Sequence, residues 1–260
     1  MIVWDKHAYN EYGVLQVKDE ELEAFAYAQL RDYKKDFFKT VHALDVDDFV
    51  ENYLKINVQF QRLSPNNSRY GMTAISSGVV PIMNEENKPD LGHLDNLRYF
   101  QKGTICVDLD ACNNDNHIIG FTLIHESGHS QFDLYVNKSL LDGETYINDE
   151  KLLDGKNLIV KRRTQKDWME YHANKYASYI LMPAQFVRKL YKQKHDEIMP
   201  GQRLGVRQRK LIWKMIYAVA EELNVSSTAM AWRFLTLGII SQQLFDALEI
   251  NHKKEETAMK

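Results

Sequence analysis

The sequence lacks the features that place a protein in a membrane or in an oxidising compartment. It has only two cysteines, Cys106 and Cys112, in 260 residues. That number excludes a disulfide-stapled scaffold and a cysteine-based zinc site, and it is typical of a reducing compartment. No run reaches the roughly 18 apolar residues that a membrane-spanning helix needs, and the first residues have no apolar signal core. The net charge of −3 gives no overall attraction to nucleic acid or anionic membranes. We therefore expect a cytoplasmic protein.

The composition is otherwise that of a globular protein with a hydrophobic core. Apolar residues make up 44% of the chain and aromatic residues 11%. At this length we expect one compact domain with an appendage, or two small domains.

The most informative motif is His125-Glu126-Ser127-Gly128-His129, which follows an apolar run without proline. In an α-helix, residues four apart lie about 40° apart around the axis, so the two imidazoles would face the same way. Such a pair can supply two ligands to a tetrahedral Zn²⁺, and the glutamate between them can act as a general base toward water. The motif predicts His125 and His129 as metal ligands and Glu126 as the catalytic residue.

A five-residue pattern can also arise by chance on a solvated surface helix. The composition of this segment argues against that alternative, because an exposed face would not carry so many apolar residues. The apolar residues of the segment are Ile118, Ile119, Phe121, Leu123 and Ile124. Histidines on such a helix are expected to be at least partly buried, where they need partners.

A third metal ligand is expected downstream. The extended pattern HExxHxxGxxH is absent, because Phe132 and Tyr135 occupy the positions of its glycine and its third histidine. Farther along, Glu170 and Asn174 would share one helix face, with Glu170 binding the metal and Asn174 hydrogen-bonding a ligand histidine. The same spacing also fits an exposed carboxylate and an exposed amide. His172 is a rival ligand, but it would point about 160° away from Glu170, and we favour Glu170.

The two segments together resemble the ImmA/IrrE family of metallo-endopeptidases. The first is the HExGH motif, and the second reads Glu-x-x-Ala-Asn-x-Tyr-Ala-x-x-Ile-Leu-Met-Pro over residues 170–183. Weaker similarities at 44–58 and 225–240 extend the resemblance over most of residues 43–240. The sequence departs from the family pattern at Ser127, at Ser130-Gln131, and in a long gap between the two motifs.

The resemblance and the periodicity together predict the architecture. The expected fold is α+β and zincin-like, with a small mixed or antiparallel sheet packed on the HExxH helix and a helical C-terminal region. The expected domains are an N-terminal helical segment (1–42), a metallopeptidase domain (43–198) with an insertion at 134–166, and a C-terminal region (199–260).

The resemblance also implies a function. Members of the family are intracellular zinc-dependent endopeptidases that cut helix-turn-helix repressors, in stress responses or in the induction of prophages and mobile elements. For this chain it implies Zn²⁺ held by His125, His129 and Glu170, with a fourth position left for water and Glu126 as the base. The expected partner is a protein substrate of the repressor type. No oxyanion-stabilising residue is selected; the candidates are Tyr135, Tyr171, Tyr176 and His172.

Apolar periodicity predicts the other elements of the N-terminal half. Residues 19–38 predict an amphipathic helix, and Asp45 predicts the N-cap of a short helix over 46–54. Residues 84–101 predict a polar surface loop. Strands are expected at 56–60, 71–76, 79–83 and 104–108.

The insertion at 134–166 repeats a Leu-Leu-Asp-Gly phrase, which indicates a hairpin or a lid. It also contains the basic run Lys161-Arg162-Arg163. This run is either a solvated surface or a docking site for an acidic segment of a substrate.

Two predicted helices, over 211–223 and 228–237, resemble a helix-turn-helix. The region is locally basic, as DNA binding requires, but apolar residues spread around the second helix leave few polar positions to contact bases. The alternatives to a peptidase are a DNA-binding regulator or a protein-interaction module, each with a structural zinc site. Glu126 argues against both, because a structural site needs no base. The basic residues are Arg203, Arg207, Arg209, Lys210, Lys214 and Arg233.

Overall fold

The structure is a computed structural model that describes residues 4–5, 8–83, 97–136 and 164–248, and the backbone of 146–150. The chain divides into two compact units. The first takes in the described residues of Met1–Phe37 and Leu44–Ile180, and the second those of Phe38–Ala43 and Leu181–Lys260. The domain boundaries proposed from the sequence at 43 and 199 stay predictions.

The first unit contains a small mixed sheet, as predicted. Its four strands lie in the order β1-β5-β2-β6, with β1 parallel to β5 and the other neighbours antiparallel. Strands β3 and β4 form a separate antiparallel pair. The strand bounds are β1 Val58–Phe60, β2 Arg69–Ala74, β3 Gly78–Pro81, β4 Leu97–Phe100, β5 Ile105–Val107 and β6 Tyr146–Glu150.

Strand β4 corrects one prediction, because its residues belong to the segment predicted as a loop over 84–101. Val80 of β3 and Phe100 of β4 are buried in one cluster with Met72 and Cys106 of the sheet. Tyr99, one residue before Phe100, is exposed. Burial along β4 runs from half-buried Leu97 through exposed Arg98 and Tyr99 to buried Phe100, without the alternation that marks a strand, so its residues did not stand out from their polar surroundings. Residues 84–96 lie outside the described residues.

Helix α1 (Asp19–Tyr33) ends earlier than the predicted residue 38, because Lys34 is extended. The predicted short helix is a π-helical segment over Asp48–Tyr53, and the Asp45 carboxylate accepts a hydrogen bond from the Asp48 amide at 3.2 Å, as a cap does. Helix α2 (Asn116–Phe132) begins at Asp115, whose side chain accepts two backbone N–H groups. Of the described helices, none combines the length and apolar composition that a bilayer crossing requires.

Helix α3 (Gln165–Leu181) begins at a reciprocal cap. The Thr164 amide donates to the Asp167 carboxylate at 2.7 Å, and the Asp167 amide donates to the Thr164 hydroxyl at 3.2 Å. Pro183 follows the helix and disfavours a helical conformation in the residue before it. The predicted hairpin or lid and the basic run at 161–163 lie largely outside the described residues; only the backbone of β6 is described there.

The core of the first unit joins α1, α2 and α3 through a cluster of aromatic rings. Phe132 of α2 lies 5.9 Å from Phe25 of α1 and 5.2 Å from Tyr176 of α3, measured between ring centroids. On its other side α2 packs against β2 and β5. Helix α2 is therefore held between the sheet and two helices, and this fixes the direction of every side chain along it.

The second unit is helical. It contains α4 (Ala184–Ile198), α5 (Arg209–Glu222), α6 (Ser227–Thr236) and a helical stretch at 242–248. The predicted helix pair is present as α5 and α6, and the Ser226 hydroxyl caps α6 by accepting from the Ala229 amide. Within α6, Met230 and Phe234 are fully buried, and the buried Arg233 donates to the Met182 carbonyl at 2.9 Å.

Candidate metal centre

Three predicted residues, His125, His129 and Glu170, come together in the first unit. The Nε2 atoms of the two histidines lie 3.0 Å apart. Each lies 3.4 Å from a carboxylate oxygen of Glu170, Oε2 for His125 and Oε1 for His129. Both histidines are fully buried, whereas the Glu170 side chain is 31% exposed. The cluster can hold a metal ion, and it opens to solvent beside Glu170.

The spacing of these donor atoms, two imidazole nitrogens and the two oxygens of Glu170, is close to that of a tetrahedral metal site, with the two nitrogens slightly nearer to each other. With metal–ligand bonds of about 2.0–2.2 Å, ligand atoms in a tetrahedron lie about 3.3–3.6 Å apart. The observed separations are 3.0, 3.4 and 3.4 Å. Lone pairs facing one another at such distances repel unless a cation lies among them. The donor set of two imidazoles and one carboxylate is one that zinc accepts, although it does not select zinc over other divalent ions.

His129 is oriented by Asp133, one helical turn farther along α2. The Nδ1 atom of His129 lies 2.7 Å from Oδ2 of Asp133, and both side chains are buried. A proton on Nδ1 leaves the Nε2 lone pair directed at the cluster. Burial would lower the pKa of His129, but Glu170 and Asp133 together raise the pKa well above its ordinary value. When no metal is bound, the raised pKa of His129 therefore favours a proton on this imidazole in the position that the metal would occupy.

The pKa of His125 shifts in the opposite direction to that of His129. Burial, together with the charge of His129, lowers the pKa of His125, while Glu170 and the Asn174 side chain act to raise it. Burial also acts on Glu170, but the two histidines lower the pKa of its carboxyl overall. A neutral imidazole and an ionised carboxylate are the forms that bind metals. The side chain of Asn174, which its spacing from Glu170 places on the same face of α3, is among the groups that act to raise the pKa of His125.

Glu126 faces the sheet. Its Oε2 accepts a hydrogen bond from the Thr73 hydroxyl of β2 at 2.5 Å, and its Oε1 is buried with no hydrogen-bond partner among the described residues. Burial raises the pKa of Glu126 to about 7, although the charge of His129 acts against this shift. The site thus contains a carboxyl group that exchanges a proton near neutral pH.

Two glycines allow the close packing around the centre. A Cβ on Gly71 of β2 would lie 2.5 Å from Oε1 of Glu126, so only glycine leaves room for that carboxylate. A Cβ on Gly128 of α2 would lie 3.1 Å from the Cα of Ala173 on α3. Gly128 and Ala173 therefore let the two ligand-bearing helices approach closely enough for Glu170 to reach both histidines.

The polar residues that depart from the family pattern have hydrogen-bond partners. The Ser127 hydroxyl donates to the Leu123 carbonyl at 2.7 Å, and the Ser130 hydroxyl donates to the Gly103 carbonyl at 2.9 Å. The Gln131 amide donates to the Tyr176 hydroxyl at 2.9 Å. These substitutions are therefore compatible with a buried helix.

The four candidates for oxyanion stabilisation have contacts or surroundings other than the metal cluster. The Tyr171 hydroxyl donates to Asp19 at 2.5 Å, and the buried Tyr176 hydroxyl donates to Gln29 at 2.7 Å. His172 stacks on Trp168 with 5.6 Å between ring centroids and lies outside the metal cluster, as its predicted direction required. Tyr135 is 76% exposed and lies on the wall of a separate cavity.

Sequence reasoning missed Asp133 and Thr73. Asp133 could have been found, since it lies four residues after His129 and therefore on the same helix face. Thr73 gave no signal, because its contact with Glu126 joins residues 53 apart in the chain.

Comparison with known protein families finds no match for the chain, and comparison with curated proteins finds none either.

Proposed function

We propose that this chain is a metal-dependent endopeptidase with a zincin-like centre, in which His125, His129 and Glu170 hold a divalent cation, most simply Zn²⁺. The observation that carries the proposal is the convergence of these three side chains, whose nearest donor atoms lie 3.0–3.4 Å apart, beside a buried glutamate.

The number of protein ligands favours a catalytic centre over a structural one. Structural zinc sites are closed by four protein ligands, whereas catalytic sites have three and leave one position open. Among the described residues the cluster has three members, and the exposed side of Glu170 leads to solvent. When bound, the cation would supply Lewis-acid polarisation of a carbonyl and a lower pKa for water.

The role of Glu126 follows from its own contacts. Thr73 holds Oε2, so the carboxylate has a fixed orientation and one oxygen remains free to accept a proton. A pKa of about 7 suits a group that takes a proton from water and later gives it to a leaving amine. We assign Glu126 this general base and general acid role.

For the substrate we propose a helix-turn-helix repressor. The support is the sequence resemblance to ImmA/IrrE endopeptidases in the two metal motifs. The DNA-binding alternative gains nothing from α6, because Arg233 is buried against Met182 and Trp232 packs on Phe245 with 4.3 Å between ring centroids.

Incubation of the zinc-loaded chain with the repressor encoded by a neighbouring gene tests the proposal, with mass spectrometry of the products. We expect cleavage at one site, and we expect Glu126→Gln to bind one equivalent of zinc while cutting at least about 10²-fold more slowly. Glu20→Gln, an exposed carboxylate on α1, is the matched control and should cut normally. Cleavage by Glu126→Gln at the wild-type rate would contradict the mechanism. Cleavage of casein but not of the repressor would contradict only the substrate.

A further inference from the structure

A second cavity lies in the first unit, and none of the metal ligands lines it. Its volume is about 650 Å³, within the range of about 300–1,000 Å³ that small-molecule sites occupy. It is bounded by the C-terminal end of α2, by residues 54–57 before β1, by residues 101–104 before β5, and by the N-terminal segment.

The charges on the cavity wall are of one sign. Two lysines, Lys55 and Lys102, line the cavity, and none of the described residues in its lining is an aspartate or glutamate. Within the described ranges neither lysine forms an ion pair; Lys102 lies over the Tyr135 ring, 5.1 Å from its centroid. Both lysines are exposed and have no carboxylate partner among the described residues, so the charge on this part of the wall is positive and favours an anionic occupant.

Lys55 also has an unusual backbone conformation. Its φ is +60°, in the left-handed region that is disfavoured for residues with a Cβ. Glycine would be relaxed at this position. Lys55 is among the residues that line the cavity, and a lysine in this conformation is accounted for if its ammonium group binds a ligand.

Aromatic rings form the remaining wall. Trp4 stacks on Phe25 with 4.6 Å between centroids and 18° between planes. Tyr9 meets Tyr135 edge to face at 6.5 Å, and Tyr135 is 76% exposed. The Trp4 indole N–H is buried without an acceptor among the described residues. Aromatic rings on the wall suit an occupant with a planar ring.

A buried carboxylate near the cavity wall, that of Asp133, does not reverse the positive charge of the wall. Burial raises the pKa of Tyr9 to about 12, and the charge of Asp133 contributes to that shift, so Asp133 lies near the wall. Asp133 is paired with His129 at 2.7 Å, which offsets its charge.

We propose that this cavity binds a small organic anion with a planar ring, of the size and charge of a nucleoside monophosphate. Its wall includes Ser130 and Gln131 of α2, next to His129, and Gln131 bonds to Tyr176 of α3. A ligand bound there touches the helix that carries two of the metal ligands and, through Gln131, the helix that carries the third. The site does not depend on the proposed peptidase activity.

Calorimetric titration of the metal-free full chain with AMP, GMP, CMP and UMP tests the proposal, with the matching nucleosides and inorganic phosphate as partial probes. We expect at least one monophosphate to bind about tenfold or more tightly than its nucleoside and than phosphate. Lys55→Ala and Lys102→Ala should each weaken that binding about tenfold, the loss of one charge-assisted contact. Lys35→Ala, an exposed lysine of the same unit outside the cavity, should bind as the wild type does.

Lys55→Gly separates a binding role from a structural one. It removes the ammonium group and relieves the left-handed backbone, so affinity should fall about tenfold while the urea midpoint of unfolding rises. A Lys55→Gly variant that binds normally would overturn the proposal, because the ammonium group would then not contact the ligand. A variant that unfolds at lower urea would overturn it too, because Lys55 would then serve the fold. Failure of all four monophosphates to bind better than their nucleosides would overturn it as well.

Discussion

Glycine-to-alanine substitution at two positions of α2 should have opposite effects on stability. At Gly120 the new Cβ would meet a single neighbour, Cγ2 of Val46, at 3.7 Å, which is an ordinary contact. At Gly128 it would lie 3.1 Å from the Cα of Ala173 and 3.4 Å from a ring carbon of Tyr176. Since Ala173 and Tyr176 are fully buried, α3 has no free space into which it can retreat.

The magnitudes follow from two opposing effects. Alanine is favoured over glycine in a helix interior by about 1 kcal/mol, and both variants gain this term. Gly128→Ala also overpacks the crossing of α2 and α3, which costs about 1–3 kcal/mol. We therefore expect Gly120→Ala to raise the free energy of unfolding by about 1 kcal/mol and Gly128→Ala to lower it by about 1 kcal/mol.

The two variants should differ in metal binding as well. Ala173 is one turn from Glu170, so displacement of α3 at Gly128 moves the carboxylate away from His129. Strain of about 1.4 kcal/mol on the bound state corresponds to tenfold weaker zinc binding, and we expect at least this loss for Gly128→Ala and none for Gly120→Ala.

Urea denaturation in EDTA measures the stabilities, and competition with a chromophoric chelator measures the zinc affinities. If both variants were stabilised equally and bound zinc equally, Gly128 would not control the spacing of the helices, and the reasoning would be refuted.

Three further predictions concern the buried polar groups. Asp133→Asn removes the carboxylate that orients His129, so zinc affinity should fall about 10–100-fold in chelator competition; an unchanged affinity would contradict its role. Because the pKa of Glu126 is raised to about 7 from 4.5, the metal-free folded state holds a proton that the unfolded chain has released. The contribution of Glu126 to the free energy of unfolding should therefore fall by up to about 3 kcal/mol between pH 4.5 and 7. Glu126→Gln should lack this fall in urea denaturation, and parallel pH curves for the two proteins would exclude the shift. Burial raises the pKa of the Cys106 thiol, and Cys112 is buried too, so Ellman's reagent at pH 8 should label neither in the native protein and both in urea; rapid labelling of the native protein would contradict the packing of β5.

Helices and strands could be predicted from the sequence where the apolar periodicity and the capping residues agreed. Helix α2 could be placed because an apolar stripe and the histidine spacing share one period, and α6 because Ser226 marks its start. Strand β4 could not, since its four residues do not alternate and cannot be told from a polar loop until Phe100 is seen packed on the sheet. The early end of α1 at Tyr33 was also missed, because apolar residues continue at helical spacing as far as Phe37.

The residues of the candidate site also fall into two groups, those that the sequence predicts and those that only the structure shows. His125 and His129 could be named because helical spacing places them on one face, and Glu170 because the second motif resembles that of the ImmA/IrrE endopeptidases. The contact between Glu126 and Thr73, and the role of Gly71 beneath that carboxylate, required the sheet. The cavity beside Lys55 gave no signal at all, because its wall is assembled from four separate stretches of the chain.

The amino-acid sequence by itself determined which side chains share a helix face, since that depends only on a period of 3.6 residues and on neighbours within a few turns. Only the tertiary structure decided how closely α2 and α3 approach, because that distance is set by the contact of Gly128 with Ala173. It also decided that Glu126 is buried against β2, which raises its pKa through loss of solvent. Both depend on contacts between residues far apart in the chain, which no local pattern encodes.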